Sequence, residues 1–291
     1  MLGYILEGRG GLYTVRECCG ERYVLRAKKK FRREGISPLV GDDVRFTPGS
    51  GQEHGWLEEI LPRRTLCPRP PVANISQLVI TLAPEPQPDL LLLDKLLIFA
   101  GIQGFSAVIA VNKSDLKPDL AGDIARTYEQ SGRAVLAVSA LTGLGLLDLE
   151  TRMAGHLNCF AGQSGTGKST LIAKLTGQAL KTGEISQKIQ RGKQTTRHVT
   201  LLEAQGLRVL DTPGFSLLDL PDDMEPETLR NFYPEFDPCE GQCRFSPCKH
   251  DREPDCAVRD QVESGLIDRD RWERYRKLLH QAEEKRRNKY D

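Results

Sequence analysis

The chain has 291 residues, a formal net charge of +1, and apolar and charged fractions of 39% and 28%. This length allows two or three domains, and the composition is that of a globular protein. A near-neutral charge excludes a polycation, so a nucleic-acid surface must come from local clusters of basic residues. The longest apolar runs are far shorter than the roughly 20 residues of a membrane helix, and residues 1–4 show no secretory pattern. We therefore expect a cytoplasmic protein that does not bind a membrane.

Residues 1–72 are expected to form an N-terminal OB-like β-barrel. About five short stretches alternate polar and apolar residues between glycine-rich breaks, which suits the strands of a small barrel. The clearest of these are residues 13–15, 22–25 and 43–46. A basic stretch at residues 28–33 is either a solvated loop or a loop that faces nucleic acid. Pro68, Pro70 and Pro71 indicate a stiff linker after the barrel.

Residues 73–235 are expected to form an α/β domain. Buried apolar runs alternate with helical patterns, which is the signature of a parallel sheet with helices on both faces. The predicted strands are residues 78–82, 107–111, 134–138, 157–160 and 207–210, and the predicted helices are residues 89–101 and 168–175. Ligands bind at the carboxyl ends of strands in such sheets. The loops after these strands are therefore the candidate site.

The strongest motif is a complete GxxxxGK[ST] phosphate loop, formed by Gly162, Gln163, Ser164, Gly165, Thr166, Gly167, Lys168 and Ser169. Its glycines let backbone N–H groups surround phosphate oxygens, and the following helix adds its positive N-terminal end. Lys168 is expected to reach the β- and γ-phosphates, and the Ser169 hydroxyl to bind Mg²⁺. Thr170, the next helical residue, completes the predicted phosphate-binding set.

A second motif predicts that the nucleotide carries guanine. An NKxD sequence follows a predicted strand and consists of Asn112, Lys113, Ser114 and Asp115. The Asp115 carboxylate can accept two hydrogen bonds, from the ring N–H and the amine of guanine, and adenine cannot supply this pair. Asn112 would brace the base and its loop. Ser139 and Ala140 follow the next strand, where GTPases place a backbone N–H toward the guanine oxygen.

Two further segments are expected to respond to the γ-phosphate. Asp211 begins a DTPG sequence after a predicted strand, where it would hold Mg²⁺ through water while the Gly214 N–H senses the γ-phosphate. The polar residues 183–198 would form a mobile first switch with a threonine ligand for Mg²⁺. The sequence does not decide between Thr195 and Thr196, and the predicted site includes Thr196.

Phe215 stands where Ras-like GTPases carry a glutamine that orients the attacking water. Phenylalanine cannot do this, so either another group positions the water or intrinsic hydrolysis is very slow. His198 is the candidate catalytic group, because an imidazole can accept a hydrogen bond or a proton. The alternative is a surface histidine without a chemical role.

Residues 236–291 are expected to form a zinc-binding domain with a helical tail. Four candidate ligands for one tetrahedral, structural Zn²⁺ are Cys243, Cys248, His250 and Cys256. Four protein ligands leave no open position for water, and the segment is too short to fold on its core alone. Cys239 is a fifth candidate ligand, but we consider it a weaker one than these four. In the tail, helical spacing predicts a buried stripe of Trp272, Tyr275, Leu278 and Leu279, and the basic end of the tail is either solvated or an RNA contact.

The base-reading motif precedes the phosphate loop by about fifty residues, whereas an ordinary GTPase has the opposite order. The domain is therefore predicted to be circularly permuted. With the DTPGF sequence and the Cys-x4-Cys-x-His-x5-Cys cluster, this order resembles the RsgA family (also called YjeQ or YloQ) over essentially the whole chain. The resemblance implies an OB barrel, a permuted GTPase domain and a zinc domain, with the family's zinc ligands on the four residues above.

The resemblance also implies a GTPase that binds GTP and GDP with Mg²⁺, the small ribosomal subunit and its rRNA. We expect a monomer, although the sequence itself does not determine the oligomeric state. Such a protein would hydrolyse GTP late in subunit maturation, stimulated by the subunit, and hydrolysis would promote its release. One alternative is a nucleotide-gated rRNA-binding module with little hydrolysis, which Phe215 favours. A second is a translation factor on mature ribosomes. An ATP-using enzyme is disfavoured by Asp115.

Overall fold

The structure, a computed structural model, describes residues 1–50, 53–68, 70–178, 199–211 and 219–290. Its first five strands are β1 Leu2–Arg9, β2 Leu12–Glu17, β3 Arg22–Ala27, β4 Asp43–Thr47 and β5 Gly55–Ile60. They pair in the order β1-β2-β3-β5-β4, and β4 returns to β1. A closed barrel of this order is an OB-type barrel, which confirms the predicted N-terminal fold. Its interior is filled by Ile5, Val15, Leu25, Val44 and Leu57, all fully buried.

The basic stretch forms a short helix, where the sequence suggested a loop. Helix α1 spans Lys29–Arg33, and Phe31 is buried while its basic neighbours point outward. The proline-rich segment after the barrel also differs from the expected extended linker. It forms a two-stranded hairpin of β6 Leu66–Pro68 and β7 Pro71–Ala73.

A six-stranded sheet forms the middle of the chain. Its strands are β8 Gln77–Leu82, β9 Ser106–Val111, β10 Ala134–Ala137, β11 Leu157–Ala161, β12 Thr200–Ala204 and β13 Leu207–Asp211. The spatial order is β10-β9-β8-β11-β13-β12, and every pair is parallel except β12 with β13. The helices are α2 Leu90–Gln103, α3 Asp119–Tyr128, α4 Leu146–Met153 and α5 Lys168–Thr176.

The helices cover both faces of this sheet, as predicted. Successive residues of a strand point to opposite faces, so Leu78 and Ile80 pack in one core with α2 and α3. Val79, between them, packs in another core with α4 and α5. Helix α3 shows why these segments are helical, because Leu120, Ala121, Ile124 and Tyr128 recur on one face and are buried.

The circular permutation is visible in the strand order. Strand β11, which leads into the phosphate loop, lies in the centre of the sheet between β8 and β13. The three strands that precede it in the chain lie on one side, and the two that follow lie on the other. The strand before the phosphate loop is thus central in space but late in sequence.

The barrel is joined directly to the edge of the central sheet. Glu7 of β1 pairs with Thr200 of β12, so the two sheets share one hydrogen-bonded edge. Tyr4 donates a hydrogen bond to the Glu203 carboxylate, and Arg16 Nη1 lies 2.9 Å from Glu203 Oε2. The barrel therefore holds β12, the strand that follows residues 179–198.

The C-terminal part contains α6 Ala257–Glu263 and α7 Arg269–Tyr290, preceded by 3-10 helices at Pro226–Phe232 and Pro234–Cys239. The predicted stripe of α7 is buried as expected, with Trp272, Tyr275, Leu278 and Leu279 all at most 8% exposed. These side chains share a core with Ile98 of α2. The C-terminal part is thus packed onto the helices of the central sheet. Among the helices described, none is long and apolar enough to cross a membrane.

A buried ion network, which sequence reasoning missed, holds α7 against α2. Asp94 of α2 is 1% exposed and accepts hydrogen bonds from Arg271 Nη1 at 2.5 Å, Arg274 Nε at 2.7 Å and the Tyr128 hydroxyl at 2.6 Å. Arg271 also pairs with Glu235. Buried charges persist only when they are paired and hydrogen-bonded, and both oxygens of Asp94 meet this condition.

Candidate nucleotide and zinc sites

The phosphate loop has the backbone that its glycines predicted. Gly162 and Gly167 have φ of 124° and 88°, in the region that favours glycine. A Cβ on Gly162 would lie 2.3 Å from the Thr81 carbonyl oxygen, and one on Gly167 would lie 2.3 Å from Asn112 Nδ2. Both positions therefore require glycine for two reasons, the conformation and the close approach of β8 and the base-reading loop.

Lys168 begins α5 and folds back over the phosphate loop. Its Nζ donates to the carbonyl oxygens of Gly162 and Gln163 at 2.7 and 2.5 Å. Burial lowers the pKa of Lys168 from 10.5 to about 8. Ser169 and Thr170 are exposed on the first turn of the helix, where the positive end of the helix dipole favours an anion.

Asn112 joins the base-reading loop to the other two loops of the site. Its Nδ2 donates to the Thr166 carbonyl at 2.8 Å, and its Oδ1 accepts from the Ala140 backbone N–H at 3.1 Å. This side chain is 2% exposed. It thus fixes the phosphate loop, the NKxD loop and the loop after β10 relative to one another, which is more than the bracing role expected from sequence.

The residues that follow Asn112 also bond to nearby loops, except for Asp115, whose carboxylate has no such bond in the described part of the chain. Lys113 has a φ of 58° and donates from Nζ to the carbonyls of Gly165 at 2.9 Å and Glu85 at 2.6 Å. Ser114 is buried and donates to the Val111 carbonyl. Asp115 is exposed at the mouth of this frame, and no residue that the structure describes hydrogen-bonds its carboxylate. Its oxygens are therefore free to accept from a base.

The remaining loops of the site are described in part. Asp211 ends β13, beside the β11 strand that leads into the phosphate loop, and burial raises the pKa of its carboxyl. Ser139 is fully buried, and its hydroxyl accepts from the Thr142 N–H at 3.2 Å. The predictions for Thr195, Thr196, His198, Gly214 and Phe215 fall on residues outside those that the structure describes.

Sequence reasoning missed one support of the phosphate loop. Gln163 accepts through Oε1 from the backbone N–H of Asp89, at 2.9 Å. The Asp89 side chain caps α2 by accepting from the Leu92 N–H at 2.9 Å. Asp before an apolar helix was a visible capping signal, but its contact with Gln163 had no signal in the sequence.

The four predicted zinc ligands come together in the C-terminal part. The ligand atoms of Cys243, Cys248, His250 and Cys256 all lie within 4.8 Å of one another. Cys248 Sγ and Cys256 Sγ are 3.8 Å apart, and His250 Nδ1 is 3.6 Å from Cys243 Sγ and 3.4 Å from Cys256 Sγ. Zn–S bonds of about 2.3 Å place tetrahedral sulfur ligands roughly 3.8 Å apart. The residues therefore fit one Zn²⁺, with histidine binding through Nδ1.

The buried surroundings of the cluster favour the uncharged forms of its ligands. Burial raises the pKa of Cys248 to about 12 and also raises that of Cys256, while it lowers the pKa of His250. A neutral imidazole is the form that binds zinc, whereas thiolates in this setting need the charge of a metal. Cys239 is buried nearby but is not in the close group of ligand atoms.

Helix α7 supports the zinc loop from outside. Trp272 Nε1 donates to the His250 carbonyl at 2.9 Å, and the Tyr275 hydroxyl donates to the Lys249 carbonyl at 2.6 Å. The Phe236 ring meets the His250 imidazole edge to face at 5.5 Å. The buried residues of α7, which the sequence predicted only as a hydrophobic stripe, thus also orient the zinc ligand His250.

We predict that Cys256→Ser will lower the zinc content of the purified protein below that of the parent chain. Cys256 lies close to two other ligands and is buried, so serine would leave a weak, misplaced oxygen in a site built for sulfur. Metal analysis by mass spectrometry after dialysis measures the change, and limited proteolysis measures loosening of residues 236–256. Cys159→Ser, at a buried cysteine remote from the cluster, is the control and should retain zinc.

Comparison with known proteins places the chain in a family. The model of the RsgA GTPase matches residues 60–221, and that of the RsgA N-terminal domain matches residues 2–57. The small ribosomal subunit biogenesis GTPase RsgA of Ruminiclostridium cellulolyticum is 41% identical over 282 residues, which are 95% of this chain and 92% of that protein. The protein of the same name from Caldanaerobacter subterraneus is 40% identical over 296 residues, covering 99% and 98%.

Solved structures agree with the sequence comparisons over nearly the full length. The crystal structure of YjeQ from Thermotoga maritima superposes with a TM-score of 0.82 at 32% identity, covering 97% of this chain and 98% of that one. The structure of YloQ, described as a circularly permuted GTPase, gives 0.81 at 29% identity, covering 97% and 95%. With its permuted strand order, its phosphate loop and these matches, the chain belongs to the RsgA GTPase family.

Proposed function

We propose that this protein is a cytoplasmic GTPase that binds the small ribosomal subunit and hydrolyses GTP during its late maturation. The main support is the meeting of the phosphate loop and the NKxD loop at one sheet edge, joined by Asn112. The relatives named above are small ribosomal subunit biogenesis GTPases. The OB barrel and the zinc cluster supply two further parts of the kind that contact RNA.

In the proposed reaction, water attacks the γ-phosphate of GTP in line. Lys168 and the backbone amides of the phosphate loop stabilise the charge that develops on the phosphate oxygens. Ser169 would hold Mg²⁺ directly, and Asp211 would hold it through water. Thr196, His198 and Gly214 are proposed to complete the site as Mg²⁺ ligand, water-positioning group and γ-phosphate sensor.

GTP hydrolysis measured with and without ribosomal particles tests this function. We expect turnover to rise when small subunits are added, and to rise less with large subunits or free RNA. Turnover that stays flat with small subunits would favour the alternative, a nucleotide-gated rRNA-binding module with little hydrolysis of its own. Equal binding to mature and immature small subunits would favour a translation factor.

The base assignment has its own test in Asp115→Asn. This change should weaken GTP binding about 10- to 100-fold, because hydrogen bonds to a charged group contribute roughly 1.5–3 kcal/mol. Xanthosine triphosphate carries a carbonyl where guanine has its amine, and the asparagine amide can donate to it. Binding of the variant should therefore shift toward the xanthine nucleotide. Fluorescent nucleotide titration measures both affinities, and an unchanged preference for GTP would contradict the assignment.

We further propose that each flanking part of the chain responds to one switch. Residues 179–198 lead into β12, which the barrel holds through Glu7 and Glu203. Residues 212–218 lead into Leu220, whose carbonyl accepts from Lys285 Nζ of α7 at 2.8 Å. Lys95 of α2 lies 2.8 Å from Asp219. Loss of the γ-phosphate could thus pull on both RNA-binding parts and promote release from the particle.

A further inference from the structure

We propose that the acidic segment of residues 219–227 masks an RNA-binding surface, and that RNA phosphates displace it from the basic side chains that hold it. This inference rests on the proposed function, in which the C-terminal part contacts RNA. The segment has five acidic residues and no lysine or arginine, whereas the whole chain has a net charge of +1. Its carboxylates therefore resemble an RNA backbone in charge and can occupy the same partners.

Basic side chains from three separate elements converge on the acidic segment. They come from α2, from the zinc loop and from the last turns of α7. The pairs are Lys95–Asp219, Lys285–Asp222, Arg286–Glu225, Arg286–Glu227 and Lys249–Glu227, at 2.5 to 3.3 Å. Lys285 Nζ also donates to the Leu220 carbonyl at 2.8 Å. Parts of the chain that are distant in sequence thus form one basic cluster, consisting of Lys95, Lys249, Lys285 and Arg286.

The ion pairs of the segment are open to solvent, so their partners can be exchanged. The side chains of Asp222 and Asp219 are 89% and 78% exposed. Exposed ion pairs contribute little net stability because water and salt screen them. A phosphate oxygen can therefore replace a carboxylate at Lys285 with little loss of stability. The pair of Asp94 with Arg271 differs, because both side chains are buried and water cannot replace either partner.

The acidic segment is anchored by apolar side chains on either side of its most exposed part. Leu220 and Leu229 are buried in the core that the C-terminal part shares with α2. Between them, Asp222, Asp223 and Glu225 are exposed. Exchange therefore requires that residues 221–225 move away from α7, while the buried anchors and the fold of the C-terminal part remain in place.

The position of the segment in the chain links this exchange to the nucleotide. The segment directly follows residues 212–218, which include Gly214, the proposed sensor of the γ-phosphate. RNA that displaces the segment thus acts on the chain beside the second switch. Because coupling between two binding sites is reciprocal, the bound nucleotide should in turn change the affinity for RNA.

The test compares a double variant of the segment with a control that changes the net charge equally. Asp222→Asn with Glu225→Gln removes two exposed carboxylates that pair with the basic cluster. Glu273→Gln with Glu284→Gln removes two exposed carboxylates of α7 that have no ion pair in the described part of the chain. Fluorescence anisotropy measures binding of a short labelled oligouridylate to each full chain, without nucleotide and at several salt concentrations.

The segment variant should bind the oligouridylate about three- to tenfold more tightly than the parent chain, because two exposed ion pairs no longer compete with RNA. The control should bind nearly as the parent does. Lys285→Ala should weaken binding and reduce the slope of log affinity against log salt by about 0.7, the value for one phosphate contact with a single strand. Equal affinities of the segment variant and the control would overturn the proposal. Tighter binding of poly-glutamate than of the oligouridylate would also overturn it, in favour of an acidic protein partner.

Backbone hydrogen exchange of the parent chain gives an independent readout of displacement. The Met224 N–H donates to the Pro221 carbonyl at 3.2 Å within the segment. Saturating oligouridylate should speed exchange at residues 222–225 and leave the buried middle of α7 unchanged. Unchanged or slower exchange at these residues would overturn the masking proposal, even if small subunits stimulate GTP hydrolysis. Faster exchange without stimulation by small subunits would support masking and count against the proposed function alone.

Discussion

Replacing Asp94 with alanine should lower the free energy of unfolding by about 3–5 kcal/mol, the range found when one partner of a buried ion pair is removed. Asp94 is fully enclosed and neutralises Arg271 and Arg274, which are 3% and 8% exposed. Without its carboxylate, Arg271 keeps Glu235, Arg274 has no carboxylate partner among the described residues, and the Tyr128 hydroxyl loses its acceptor. The loss exceeds that of one hydrogen bond because an unpaired buried charge remains.

The change should be seen first where α7 meets α2. The chain has two tryptophans, and Trp272 lies on α7, next to Arg271. A Trp56→Phe background therefore makes urea unfolding followed by tryptophan fluorescence specific for the C-terminal part. Asp123→Ala serves as the matched control, because Asp123 is exposed and its one ion-pair partner among the described residues is the exposed Arg126. An Asp94→Ala midpoint that matches this control would show that the network does not hold the interface.

The sequence places the phosphate loop and the NKxD loop close together because each is a local motif. The phosphate loop and the NKxD loop each follow a strand, and parallel strands bring their carboxyl ends to one edge. Which backbone groups the side chains contact could not be read in the same way. The bonds from Asn112 to Thr166 and Ala140 span 54 and 28 residues. These bonds depend on the order of the strands in the sheet, and a short stretch of sequence does not show this order.

The interdomain contacts were out of reach of sequence patterns for a related reason. Asp94 lies inside the predicted helix 89–101, and its partner Arg271 is 177 residues away in the sequence. Nothing in a helical pattern marks one charge as buried, since isolated charges in amphipathic helices usually face solvent. The pairing of Glu7 with Thr200 could not be predicted either, because the sequence of an edge strand does not indicate which other strand will pair with it.

The two interfaces differ in the kind of contact that holds them. The barrel pairs with β12 at one strand pair, contacts Glu203 through Tyr4 and Arg16, and shares a continuous apolar core with the α/β sheet. The C-terminal part meets α2 through a shared apolar core and a buried network of charges. Both interfaces therefore contain buried apolar contacts, and the one at α2 adds buried ion pairs.

Replacing Lys168 with alanine should lower the maximal rate of GTP hydrolysis by about 10²–10³-fold, as expected when one preorganised donor to the developing charge is removed. Lys168 starts α5 and lies over the phosphate loop, with its ammonium bonded to the Gly162 and Gln163 carbonyls. In the proposed complex the same ammonium reaches the β- and γ-phosphates. Single-turnover hydrolysis separates this effect from weaker binding.

Lys174→Ala is the matched control, because Lys174 lies on the same helix but is exposed in its last turn. This control should hydrolyse GTP at the parent rate. Both variants should unfold at temperatures close to that of the parent chain, which excludes a general loss of structure. A Lys168→Ala rate within about threefold of the control would contradict the proposed role of this ammonium.

The pKa of Lys168 adds a second measurement with a definite sign. Burial lowers this pKa to about 8 in the protein alone, and phosphate oxygens beside the ammonium should raise it again. Above pH 8 the complex therefore holds more protons than the free protein, so GTP binding should take up protons and weaken as pH rises. This proton uptake should increase as the pH rises through the pKa of Lys168 in the free protein. Calorimetry in buffers of different ionisation enthalpy measures the uptake, and Lys168→Ala should reduce it while Lys174→Ala preserves it.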